Sequence, residues 1–173
     1  MNEFVVLPRD PVTCNMWYGV DEEGSPRLIT QIMLRDVMAG WPVTPETPDN
    51  VRHLLRKSRT AALCGLVGRE LLTDSVLSSL HAVEAALRQK ILASGASDLN
   101  AQDRPLSWNA LFQRAVSLAL VEREPDEFDR DLIDYGRKLR NRLSHPSDVM
   151  YLPYGTALRL IESSHRIVAR LFP

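Results

Sequence analysis

The chain has 173 residues, of which 45% are hydrophobic and 25% charged, with a formal net charge of -1. That length suits one domain with a core of its own, and a net charge near zero excludes nucleic-acid binding through overall charge, leaving only a local patch. The two cysteines, Cys14 and Cys64, have no metal-type spacing and read as thiols of a reducing compartment. Met1-Asn2-Glu3-Phe4 lacks the basic-then-apolar pattern of a secretory signal. Apolar runs such as residues 61–67 are too short to span a bilayer. The expectation is a cytoplasmic protein with no membrane partner.

Residues 1–47 differ from the rest and form an N-terminal extension. Phe4-Val5-Val6-Leu7 reads as a short strand. Ser25-Pro26 predicts a helix start and Gly40 its stop, with Ile29, Ile32, Met33 and Val37 inward. Trp17, Tyr18 and Trp41 suit either packing on the bundle or contact with a partner. Pro42, Pro45 and Pro48 make a linker-like break.

Residues 48–173 are patterned as helices. The first starts near Asp49-Asn50, with Val51, Leu54, Leu55, Ala62 and Leu66 inward. The second starts at Thr73 or Asp74, carries the stripe Val76, Leu77, Leu80, Val83, Leu87 and Ile91, and stops at Gly95. Residues 96–105 are a polar loop. Ser107 caps a third helix bearing Leu111, Phe112, Ala115, Leu118 and Val121. A fourth opens at Pro125-Asp126, carries Phe128, Leu132, Tyr135, Leu139 and Leu143, and ends before Pro146. The fifth runs from about Thr156 to Leu171, with Leu160, Ile161, Ile167, Val168 and Leu171 inward. One apolar face per helix predicts an all-α, antiparallel bundle of four to five helices.

The end of the fourth helix carries the chemistry. In Leu139-Arg140-Asn141-Arg142-Leu143-Ser144-His145-Pro146, a guanidinium, an amide and an imidazole fall within six positions. A guanidinium holds a phosphate by a two-pronged hydrogen bond. An imidazole moves a proton near neutral pH. Together they suffice to cleave an RNA phosphodiester without a metal. On an ideal helix, residues five apart are rotated by roughly 140°, so Arg140 and His145 do not share a face, whereas Asn141 and His145 do. Pro146 frees His145 from helical geometry and the arginine side chain is long, so the two can still converge within one chain; a two-fold dimer, which brings a second Arg–His pair to the same cleft, fits the spacing better. Arg137, Lys138 and Arg142 add a basic patch for flanking phosphates.

These residues, with His81-Ala82-Val83-Glu84-Ala85-Ala86-Leu87-Arg88 and Ser107-Trp108-Asn109-Ala110-Leu111, resemble the HEPN domain family over roughly residues 50–171. The resemblance implies a HEPN-like bundle that forms a homodimer. It further implies a metal-independent endoribonuclease, toxin-like or phage-defence-related, leaving a 2′,3′-cyclic phosphate and a 5′-hydroxyl. Arg140, Asn141 and His145 are then catalytic, Arg137, Lys138 and Arg142 bind RNA, and no cofactor or metal is involved. An antitoxin or other protein is a further expected partner. The alternative is a non-catalytic HEPN dimer that binds a nucleotide or a partner.

Plainer readings stand beside these. His145 is also suited to cap its helix, since the dipole favours an imidazolium there. Glu84 suits a buried structural hydrogen bond, and Trp108 a helix-start anchor. His53, His81 and His165 have no metal-like partners at helical spacing.

Overall fold

A computed structural model describes residues 18–20, 26–28, 30–66, 68, 70–121, 136, 138–139 and 154–173. The fold is an all-α bundle with a two-stranded ribbon in the N-terminal extension. In that ribbon β1 (Tyr18–Val20) pairs antiparallel with β2 (Pro26–Leu28), Tyr18 opposite Leu28. The helices are α1 (Gln31–Ala39), α2 (Asp49–Cys64), α3 (Glu70–Ala93), α4 (Trp108–Ser117) and α5 (Tyr154–Leu171). Gly136, Lys138 and Leu139 are also helical. The strand expected at Phe4–Leu7 lies outside the described residues.

The N-terminal extension departs from expectation in two ways. Ser25-Pro26 does not start a helix, because Pro26 belongs to β2. The start is instead Thr30, whose hydroxyl accepts a hydrogen bond from the Met33 amide. The buried face is also rotated by one residue. Leu34 and Met38 are buried, while Met33 and Val37 are 42% and 54% exposed. Trp41, just beyond the helix, is buried and belongs to the same core cluster as Leu34 and Met38. The second half of the extension thus packs on the bundle.

Hydrogen bonds fix the helix directions. Ser58 Oγ donates to the Ser75 carbonyl, and Gln89 donates to Asn50, so α2 and α3 run antiparallel. The Tyr154 hydroxyl donates to the Ala62 carbonyl while Arg59 meets His165, so α5 is antiparallel to α2. Ser164 meets Ser79 and Lys90 sits over the Phe172 ring, so α5 runs with α3. Serines at 58, 75, 79 and 164 let the helices approach closely and satisfy one another. Burial of the Tyr154 phenol raises its pKa.

Core positions follow the apolar stripes. Val51, Leu55, Ala62, Val76, Leu80, Val83, Leu87 and Ile91 are buried. So are Leu111, Phe112, Ala115, Leu160, Ile161, Ile167, Val168 and Leu171. α3 begins at Glu70, earlier than Thr73, since Leu72 is itself a core residue. Gly95 ends the turn after α3 with φ +80°, a conformation that costs glycine little. Leu118 and Val121 pack only partly, because α4 stops at Ser117 and Ala119 turns the chain at φ +53°.

Candidate functional site

The approach to the Arg140–His145 motif is a helical segment wedged against the bundle. Leu139 is 1% exposed and belongs to the core, whereas its neighbour Lys138 is exposed. Gly136 sits where a larger residue does not fit. A Cβ there would lie 2.9 Å from Cδ2 of Leu80 and 3.4 Å from the Trp108 ring. The glycine therefore allows the segment to close on α3 and on the start of α4. Trp108 is buried and stacks at a tilt on Phe112, with centroids 5.1 Å apart. The Ser107 hydroxyl accepts from the Ala110 amide and starts α4 at this point.

A second network joins α3 to the loop that leads into α4. Arg88 on α3 donates to Glu84 at 3.0 Å, to the Asp98 carboxylate at 2.9 Å and to the Leu106 carbonyl at 3.0 Å. One guanidinium thus ties the loop after α3 to the helix before it. Burial works against the charge on Arg88. Hydrogen bonds and charge attraction from Glu84 and Asp98 outweigh it, and the net pKa is raised. Glu84 is consequently an ion-paired residue beside the core. The loop is further shaped by Asn100, whose side chain accepts from the Gln102 and Arg104 amides.

The described residues contain one arginine–histidine pair in contact. Arg59 Nε donates to Nε2 of His165 at 3.3 Å, and Arg59 Nη2 donates to the Trp41 carbonyl at 2.7 Å. Nδ1 of His165 lies 3.2 Å from the Pro42 carbonyl. Arg59 Nη2 lies 3.2 Å from Nδ1 as well, so a guanidinium faces both ring nitrogens and favours a neutral imidazole, its proton on Nδ1 where the Pro42 carbonyl accepts it. His165 is completely buried. Burial first, and the Arg59 charge second, hold its pKa at about 3. Because the imidazole itself has no access to solvent, this pair is a structural joint, not a cleavage site. His165 is far from the ordinary histidine its sequence context suggests. The available signal was its place in the α5 stripe, four residues after Ile161 and three before Val168.

Of the residues singled out from sequence, Lys138 is exposed and available to a ligand. Arg137, Arg140, Asn141, Arg142 and His145 lie outside the described residues. The ends of α4 and α5 enclose a cavity of about 450 Å³, lined by Val116, Leu120, Ile167 and Leu171 with Arg170 at its side. Among the described residues that lining is aliphatic apart from one guanidinium and includes no acid–base pair. Among the described residues, no group of three or more His, Cys, Asp or Glu is placed to hold a metal ion. No described helix is long and apolar enough to cross a membrane. Compared with known proteins, the chain matches no family model, and no curated protein or solved structure aligns with it significantly.

Proposed function

We propose that the chain is a metal-independent endoribonuclease of HEPN type, acting in the cytoplasm as a homodimer in a toxin–antitoxin or phage-defence setting. The observation that carries this reading is the run Arg140-Asn141-x-x-x-His145-Pro146 placed directly after Leu139. Leu139 is a core residue, so the run starts from a fixed point of an all-α bundle. Exposed Lys138 beside it supports a basic approach for a phosphate backbone.

In the proposed reaction the ribose 2′-oxygen attacks the adjacent phosphorus. The bond from phosphorus to the 5′-oxygen breaks, leaving a 2′,3′-cyclic phosphate and a 5′-hydroxyl. His145 takes the 2′-hydroxyl proton or delivers a proton to the leaving 5′-oxygen. In a symmetric dimer the two copies of His145 divide those tasks. Arg140 holds the scissile phosphate and stabilises the charge that develops on it. Asn141 orients the imidazole, and Arg137, Lys138 and Arg142 hold flanking phosphates. An antitoxin or other protein partner would act by covering this basic approach.

The test is incubation of purified protein with RNA in excess EDTA, with the product ends mapped. Cyclic-phosphate and 5′-hydroxyl ends support the proposal. Cleavage that vanishes with chelator and returns with metal contradicts it. RNA bound but never cut favours the non-catalytic binding dimer.

A further inference from the structure

The connector between α1 and α2 is held on the bundle by two side chains from two different helices. Arg59 of α2 takes the Trp41 carbonyl, and His165 of α5 faces the next carbonyl, that of Pro42. The Trp41 ring lies against the imidazole, centroids 5.4 Å apart. The Arg59 guanidinium faces both ring nitrogens, which favours the neutral ring over the doubly protonated one. Nδ1–H points at Pro42, and the lone pair on Nε2 accepts the Arg59 Nε–H. A second proton on the ring would have to sit on Nε2. It would then face an N–H of a cation 3.3 Å away. The hydrogen bond would be lost and replaced by repulsion inside the core.

We infer that the Arg59–His165 pair is an acid-sensitive clasp, seating α1 and the α1–α2 connector on the bundle and releasing them when the imidazole is protonated. The inference is independent of the ribonuclease proposal. Arg59 is the one charged group among the described contacts of the imidazole. On α5 itself, Glu162 and Arg166 pair with each other. α3 meets this part of α5 through Ser79 and Ser164, which are neutral. The charged residues of α1, Arg35 and Asp36, are exposed. No carboxylate is in described contact with the ring to absorb a second charge.

Release should be local. α1 is nine residues long and adds Leu34 and Met38 to the core, with Trp41 just beyond it. A helix of that length does not hold itself in water. The α2–α3 and α3–α5 contacts are made by serines and aliphatic side chains and need nothing from the imidazole. The sign follows from the two states. A released imidazole titrates at its ordinary value near 6.5, and the seated one at about 3. Seating is therefore independent of pH above about 6.5 and weakens as pH falls towards 3.

The test is hydrogen exchange of the full chain at pH 8 and pH 5, corrected for the intrinsic dependence of exchange on pH. Amides of α1 and of Gly40–Trp41 should open ~30-fold more often at pH 5, the factor set by one proton and a pKa near 6.5. Amides in the middle of α3 should be unchanged. In His165→Asn, whose amide still donates to Pro42 but takes no proton, the connector should show no pH response. An equal rise in α3, no rise in the connector, or a rise that survives in His165→Asn overturns the inference. If His165→Asn fails to fold, the imidazole resonance of the wild-type chain decides. A seated ring that titrates near 6.5 overturns the clasp, and one that stays neutral down to pH 5 supports it.

Discussion

Leu139→Ala removes the core residue from which the Arg140 motif departs. Leu139 is 1% exposed, so nearly the whole side chain leaves apolar surroundings. Buried leucine-to-alanine changes cost about 2–5 kcal/mol, from lost transfer energy and from the cavity left behind. Gly136, one turn earlier, already lies close against Leu80 and Trp108, so the site has little room to collapse and a value of about 3 kcal/mol is reasonable. With a urea slope of about 2 kcal/mol per molar, the midpoint should fall by about 1.5 M. The adjacent Lys138→Ala is the control. Lys138 is exposed, so its loss should shift stability by no more than about 0.5 kcal/mol. Urea melts followed by circular dichroism measure both variants. Single-turnover RNA cleavage at a concentration where each is folded then measures the motif. Leu139→Ala should cleave about 10²-fold more slowly, because small misplacement of catalytic groups is expensive. Lys138→Ala should weaken RNA binding mainly at low salt. A Leu139→Ala midpoint within 0.3 M of wild type, taken as roughly the noise of such melts, would refute the packing argument.

Gly136→Val should destabilise by about 1–3 kcal/mol, since its Cβ meets Leu80 and Trp108 in a filled site. Gly136→Ala should cost less, because alanine regains about 1 kcal/mol of helix propensity; a valine variant as stable as wild type by thermal melting would show that the close approach is not required. Arg88→Met should lose about 1–3 kcal/mol by leaving Asp98 and the Leu106 carbonyl without their donor. Proteolysis of the 94–106 loop should accelerate in the same variant, and an unchanged cleavage rate there would contradict the role given to Arg88.

Much of the bundle was legible because burial and helical period coincide. The stripe from Leu160 to Leu171 and that from Val76 to Ile91, Leu77 apart, are core positions, and Ser107 and Gly95 stand at the helix ends they mark. The N-terminal extension was less legible for a physical reason. Met33 with Val37 and Leu34 with Met38 are equally good apolar pairs four residues apart. Packing into a core built from residues distant in sequence selects the second pair. Pro26 suits a helix start and a short edge strand alike. Around the motif, the switch from exposed Lys138 to buried Leu139 follows from the apolar period, whereas the close approach at Gly136 does not, since it depends on Leu80 and Trp108 across the interface. The Arg59–His165 joint was illegible because its partners are 106 positions apart. Arg140, Asn141 and His145 rest on sequence, outside the described residues.

One substitution addresses the chemistry of the motif directly. His145→Ala should abolish RNA cleavage in EDTA under single-turnover conditions, by about 10²–10⁴-fold, while RNA affinity and the helical circular-dichroism signal stay near wild type. That pattern is what loss of a proton-transfer group from an intact site predicts. A His145→Ala protein that cleaves RNA at the wild-type rate would contradict the assignment of the motif as catalytic.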